Sequence, residues 1–171
     1  WKNYRLNQAK ENLKKIEELA LTEKYFEAFD LAVDTEKILP KEDLSKLFPT
    51  ISDTLSVKTN IQGAKVYLKR YNSQKSEFIG ETPISELRIA RGHYILRIEK
   101  EGVETFERTI SGIIPSVGGS FIASPPLKIE AKLFEKGQIP NRMVFVSGGE
   151  YSLVNWSRPT EKKVNLDDFF I

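Results

Sequence analysis

Cysteine is absent from the 171-residue chain, and histidine occurs once, at position 93. The first absence excludes a disulfide scaffold, zinc–thiolate centres, iron–sulfur ligation and cysteine nucleophiles. The second excludes a multi-histidine metal site and forces any Ser-His-Asp triad through His93. A dominant charge is missing too. The 26 Lys+Arg against 24 Asp+Glu leave +2, which does not mark a nucleic-acid partner. No run approaches the roughly 18 apolar residues of a spanning helix, and there is no signal-peptide pattern. Membrane attachment would need a segment outside this sequence. What is present is an ordinary globular composition, 40% hydrophobic and 29% charged.

Hydropathy patterning divides the chain into three zones, 1–53, 54–134 and 135–171, with net charges of −2, +4 and zero. In the first zone Leu6, Ala9, Leu13, Ile16 and Ala20 form a stripe of helical spacing, compatible with a coiled-coil seam. Thr22 followed by Glu23 predicts the N-cap of a second helix. That helix carries Phe26, Phe29 and Val33, with Tyr25, Ala28 and Ala32 beside them, and Pro40 stops it. A short third helix is expected over 43–51, shortened or kinked at Pro49. The first two helices make an antiparallel hairpin. Trp1, Tyr4 and Leu6 would either pack on Phe26 and Phe29 or sit at a membrane edge.

From about Thr54 the period becomes two. Leu55, Val57 and Thr59 alternate with Ser56 and Lys58; Val66 and Leu68 with Lys65, Tyr67 and Lys69; Tyr94, Leu96 and Ile98 with Ile95, Arg97 and Glu99. Turn residues separate the runs, which predicts a small antiparallel β-sandwich. A last strand over 127–133 carries Leu127, Ile129, Ala131 and Leu133 on one face. The Gly-, Ser- and Pro-rich stretch 111–126 reads as a long loop. In the third zone, Met143, Val144, Phe145 and Val146, then Ser147-Gly148-Gly149, then 150–154 predict a hairpin. Residues 155–163 read as loop and 164–171 as a further extended segment. The fold class is therefore α+β: an N-terminal helical hairpin, a sandwich and a C-terminal β-hairpin tail.

Within about 54–110 of the middle zone stand Gly63-Ala64, Gly80-Glu81-Thr82-Pro83 and Gly92-His93-Tyr94. In these residues the zone resembles the PEGA domain. The Tyr25-Phe26-Glu27-Ala28-Phe29 stretch resembles the second half of a tetratricopeptide-type repeat. The third zone resembles the opening of formylglycine-generating-enzyme (sulfatase-modifying-factor) domains, through 139–151 and 164–171. Catalysis in that family depends on cysteines, which this chain lacks. The order of the three units is similar to the region after the transmembrane helix of some bacterial serine/threonine protein kinases. It implies an extracytoplasmic location, an upstream membrane anchor and a downstream domain that residues 135–171 begin.

Chemistry-bearing residues are sparse. His93 reads as a strand-edge histidine, because no serine motif surrounds it. Glu99, Glu101 and Glu104 read as a solvated hairpin tip rather than a cation site, and Gly118-Gly119 as a loop lacking the flanks of a phosphate loop. No nucleophile, base and orienter occur together, so neither enzymatic activity nor a cofactor is expected. Tyr67, Lys69, Arg70 and Tyr71 form a candidate basic–aromatic ligand face. Met143, Phe145, Tyr151, Phe169 and Phe170 form a candidate interface for the downstream domain. The expected function is a non-catalytic binding or spacer module of a larger bacterial protein, with cell-wall polysaccharide or a surface protein as external partner. The alternative is a sensor region of a transmembrane kinase that forms a homodimer.

Overall fold

The computed structural model describes residues 2–39, 44–113, 125–155 and 160–171. Helices α1 (Lys2–Leu21) and α2 (Tyr25–Glu36) form the expected hairpin. Ala9, Ile16 and Ala20 are buried and Leu13 is half-buried, as the stripe predicts. Ile16 and Ala20 share a cluster with Tyr25, Ala28 and Ala32 of α2, and with Leu44, Phe48 and Ile51. The seam is therefore spent inside the chain. Asn12 Nδ2 donates to Thr35 Oγ1 at 3.1 Å, satisfying a threonine buried on α2.

The link between the helices corrects the expected cap. Thr22 does not open α2: its hydroxyl lies 3.0 Å from Glu18 O and 3.2 Å from Leu19 O, at the end of α1. Glu23 takes a left-handed φ of 58°, and Glu23 N and Lys24 N donate back to Ala20 O and Leu19 O. This paired bonding satisfies carbonyls that a helix end leaves open, so α1 ends in a Schellman motif. Lys24 stands at the N-cap of α2 without a side-chain bond. The third helical segment is also interrupted: Leu44 is helical, residues 45–47 form a turn, and the helix resumes at Phe48. The described helix α3 is Phe48–Ile51, and Pro49 lies in its first turn, where a missing N–H has no bond to break. Pro40 and Asp43 lie outside the described residues.

Among the described residues seven strands build the sandwich: β1 (Ser52–Thr59), β2 (Lys65–Arg70), β3 (Ser76–Glu81), β4 (Ile84–Ala90), β5 (His93–Glu99), β6 (Phe106–Ser111) and β7 (Leu127–Ala131). One sheet has the order β4-β1-β7 and the other β3-β2-β5-β6. Leu55, Val57, Val66, Leu68, Leu96, Ile98 and Ile129 meet between them. The alternation thus places each run as expected, since period two fixes which face is buried. Pairing is antiparallel except between β1 and β7, which run parallel from Leu55↔Leu127 to Thr59↔Ala131. The chain changes sheets between β3 and β4 at Thr82–Pro83. Thr82 Oγ1 there accepts from Ala64 N at 3.1 Å and lies 2.8 Å from Thr59 Oγ1. Gly118 and Gly119 lie outside the described residues.

The tail departs from its expected pairing. Strand β8 (Phe145–Val146) does not pair with the segment after Gly148-Gly149. It pairs antiparallel with β11 (Phe169–Phe170), while β9 (Gly149–Asn155) pairs with β10 (Thr160–Leu166). Residues 160–163, expected in a loop, belong to β10. The physical reason is aromatic: Phe134, Phe145 and Phe170 form a cluster with ring centroids 4.7–5.9 Å apart, which brings both ends of the tail to the sandwich. Asp168 accepts from Lys132 Nζ at 2.7 Å and from Gly148 N at 2.8 Å. These bonds hold its carboxyl below the usual range. A lowered carboxylate stabilises the contact above the ordinary pKa and loses that stabilisation as pH falls through the lowered value. Acidification below about pH 4 should therefore lower the protection factor of the Gly148 amide before those of the sandwich amides; simultaneous loss of protection would refute the local contribution.

Candidate binding groove

Helix α2 lies across the open side of the sandwich and is tied to both sheets. The Arg70 guanidinium at the end of β2 donates to both oxygens of Asp30, at 2.7 and 2.6 Å. Arg88 on β4 donates to Glu36 at 2.6 Å. Each arginine also stacks on an aromatic ring of the helical part: Arg70 lies 4.7 Å from the Phe26 centroid and Arg88 3.8 Å from that of Phe48. Such cation–π contacts contribute about 0.5–1 kcal/mol each at partly exposed sites. Phe26 itself meets Tyr94 edge to face at 5.4 Å. The Tyr94 hydroxyl donates to Ala90 O at 2.7 Å, and burial pushes its pKa upward.

Below these contacts Arg91 and Asp53 form a buried ion pair at 3.3 Å, with side-chain exposures of 7% and 1%. Arg91 also donates to Pro49 O at 3.0 Å. Burial pushes the Asp53 carboxyl above its ordinary value, and Arg91 pulls it partly back. Its Oδ2 is buried with no hydrogen-bond partner among the described residues. A Cβ built on Gly112 would fall on this carboxylate.

Between α2 and the edges of β3 and β4 a groove of about 670 Å³ remains. Phe29 and Val33 line it from the helix, and Leu68, Ile79, Leu87 and Ile89 from the strands. Asp30 and Asp34 make the helix wall acidic, whereas on the strand wall Arg70, Lys75 and Arg88 outnumber the single acid Glu77. The arrangement can hold an amphipathic chain. Among the described residues no group of three or more His, Asp and Glu could hold a metal ion.

The basic–aromatic residues divide between two surfaces. Tyr67 and Lys69 alternate with the buried Leu68 and so lie on the outer face of β2, where Tyr67 meets Phe78 with centroids 5.6 Å apart. Arg70 lines the groove, bound to Asp30, and Tyr71 is exposed in the turn that follows. His93 is exposed at the start of β5. Glu99 pairs with Arg97 at 2.6 Å, and Glu104 accepts from Gly137 N. In the tail, Phe145 packs with Phe170, Phe169 is 39% exposed and Met143 47% exposed. The Tyr151 side chain lies outside the described set.

The Gly80–Pro83 element makes the crossing between sheets, and Gly92-His93-Tyr94 opens the central strand β5. Residues 52–112 match the PEGA domain. The match runs from the start of β1 to just past β6, so the PEGA stretch supplies the four-stranded sheet and two strands of the other. Strand β7 completes the second sheet from outside it, and neither the helical hairpin nor the tail falls within the match. No curated protein and no solved structure matches the chain. No described helix is long and apolar enough to cross a membrane.

Proposed function

We propose that the chain is a non-catalytic, extracytoplasmic binding and spacer module of a larger bacterial protein, holding a downstream sulfatase-modifying-factor-like domain in a set orientation. The PEGA match supports a module of the binding or spacer kind. The observation that carries the spacer half is the double attachment of α2, through Asp30 to one sheet and Glu36 to the other. With Phe26 packed against the sandwich core, these two ties orient the helix on both sheets. The dimerising sensor of a transmembrane serine/threonine kinase draws no support from the α1 stripe, which α2 covers.

The absence of cysteine makes the test direct. Spin labels on Gln8→Cys and Glu107→Cys should give one narrow distance distribution by electron–electron double resonance. The Asp30→Asn/Glu36→Gln variant should broaden it and lose about 1 kcal/mol, because both pairs are partly exposed and screened. A broad distribution in the otherwise unaltered protein would rule out the spacer reading.

A further inference from the structure

We infer that the groove beside α2 receives an extended peptide segment of a partner protein, which adds a strand to the free edge of β3. This rests on the binding half of the reading above and gives it a partner class. Strand β3 pairs only with β2, and none of Ser76–Glu81 has another backbone partner among the described residues. An unpaired edge presents alternate N–H and C=O groups, the template for strand addition. Six residues of β3 span roughly 20 Å at about 3.3 Å each, enough to pair with a hexapeptide. The sandwich core opens beside this edge. Ile79 and Leu87 are only half-buried there, and a bulge in the β2–β3 pairing gives Ile79 no Cα partner while its side chain lines the groove.

Charge decides what fits. Among the described residues the Asp34 side chain on the helix wall pairs with Lys37 alone, in an exposed pair, and Lys75 on the strand wall lies a loose 3.7 Å from Glu77. Exposed pairs of this kind contribute little and exchange readily. Arg70 and Arg88, by contrast, are committed to Asp30 and Glu36. Among the described residues the groove therefore offers Asp34 on the helix wall and the loosely paired Lys75 and Glu77 on the strand wall, above an apolar floor. Its occupant is a strand with apolar residues at alternate positions, a basic side chain toward Asp34 and an acidic one toward Lys75.

The probe is a random nonapeptide phage library panned on the full chain, with enriched sequences resynthesised and titrated by fluorescence anisotropy. Enriched peptides should alternate apolar residues and carry both charges. They should shift the amide resonances of Ser76–Glu81 and lose at least tenfold in affinity for the Asp34→Lys/Lys75→Glu variant. Both substituted positions are exposed, so the fold is retained, and circular dichroism checks this. N-methylation of one alternate set of peptide amides should abolish binding, and of the other set leave it. The inference is overturned if no peptide binds, if shifts map away from β3, if charge reversal changes affinity less than twofold, or if neither methylated set loses binding. It is also overturned if sedimentation of the protein alone shows two copies pairing through β3. The spin-label distances do not depend on any peptide, so the spacer reading can survive these failures or fail without them.

Discussion

Arg91→Ala should destabilise the protein by about 3–5 kcal/mol, the cost of leaving a buried charge without its partner. Asp53 has no other cation within bonding distance among the described residues, and its Oδ2 is already unpaired. Burial raises the folded-state pKa of Asp53 above 3.8, and Arg91 opposes that shift. Removing Arg91 raises it further. A raised carboxyl favours the folded state below the ordinary pKa and loses that contribution as pH climbs through the raised value. The destabilisation by Arg91→Ala should therefore be largest at neutral pH and shrink toward about pH 4, where Asp53 folds protonated. Denaturant melts of both proteins across that interval would show it. A loss that is constant with pH would mean that the hydrogen bond to Pro49 O and the stacking over the Tyr25 ring, 5.9 Å from its centroid, are what Arg91 supplies, rather than its pairing with Asp53. Arg91→Met/Asp53→Leu should recover most of the stability, since apolar replacements of similar volume often match a buried pair.

Gly92→Ala should cost about 2–4 kcal/mol. Gly92 has a φ of 157°, and an added Cβ would overlap the Phe26 ring, 2.8 Å from Cε1. Backbone strain of this kind costs of order 1–3 kcal/mol, and overpacking about the same. The ring cannot retreat freely, because Tyr94 meets it on one side and the Arg70 guanidinium stacks over it. Residues in contact couple. In a Phe26→Ala background the same glycine substitution should therefore lose only its strain component. Equal losses in both backgrounds would refute the proposed clash. The prediction also separates Gly92 from Gly102 and Gly137, where an added Cβ meets nothing within 4 Å.

The sandwich was legible because half-buried strands write their inward face in the sequence at every second residue. Leu55, Val57, Leu96 and Ile98 needed no structure to be assigned inward. Strand partners are another matter: period two specifies a face, never a neighbour, so the parallel β1–β7 ladder left no local mark. The tail shows the same limit. Ser147-Gly148-Gly149 has turn chemistry, but the Phe134–Phe145–Phe170 cluster outweighs it and sends β8 to β11. Thr22 was ambiguous because one hydroxyl serves a helix start or a helix end equally well. In the groove, Arg70 was visible as a basic residue but not as the anchor of α2, since Asp30 lies forty positions away. The buried Asp53 did carry a signal. It shares the inward phase of Leu55, Val57 and Thr59, and an acid in an apolar phase demands a buried cation.

The β1–β7 ladder has a mechanical consequence. Tension transmitted along the chain reaches β1 at its Ser52 end and β7 at its Ala131 end. In two parallel strands those are opposite ends of the ladder, so the load slides one strand past the other. Five residue pairs, from Leu55↔Leu127 to Thr59↔Ala131, then share the load at once instead of unzipping in turn. A sheet wired in this way resists stretching far better than a hairpin peeled from its open end.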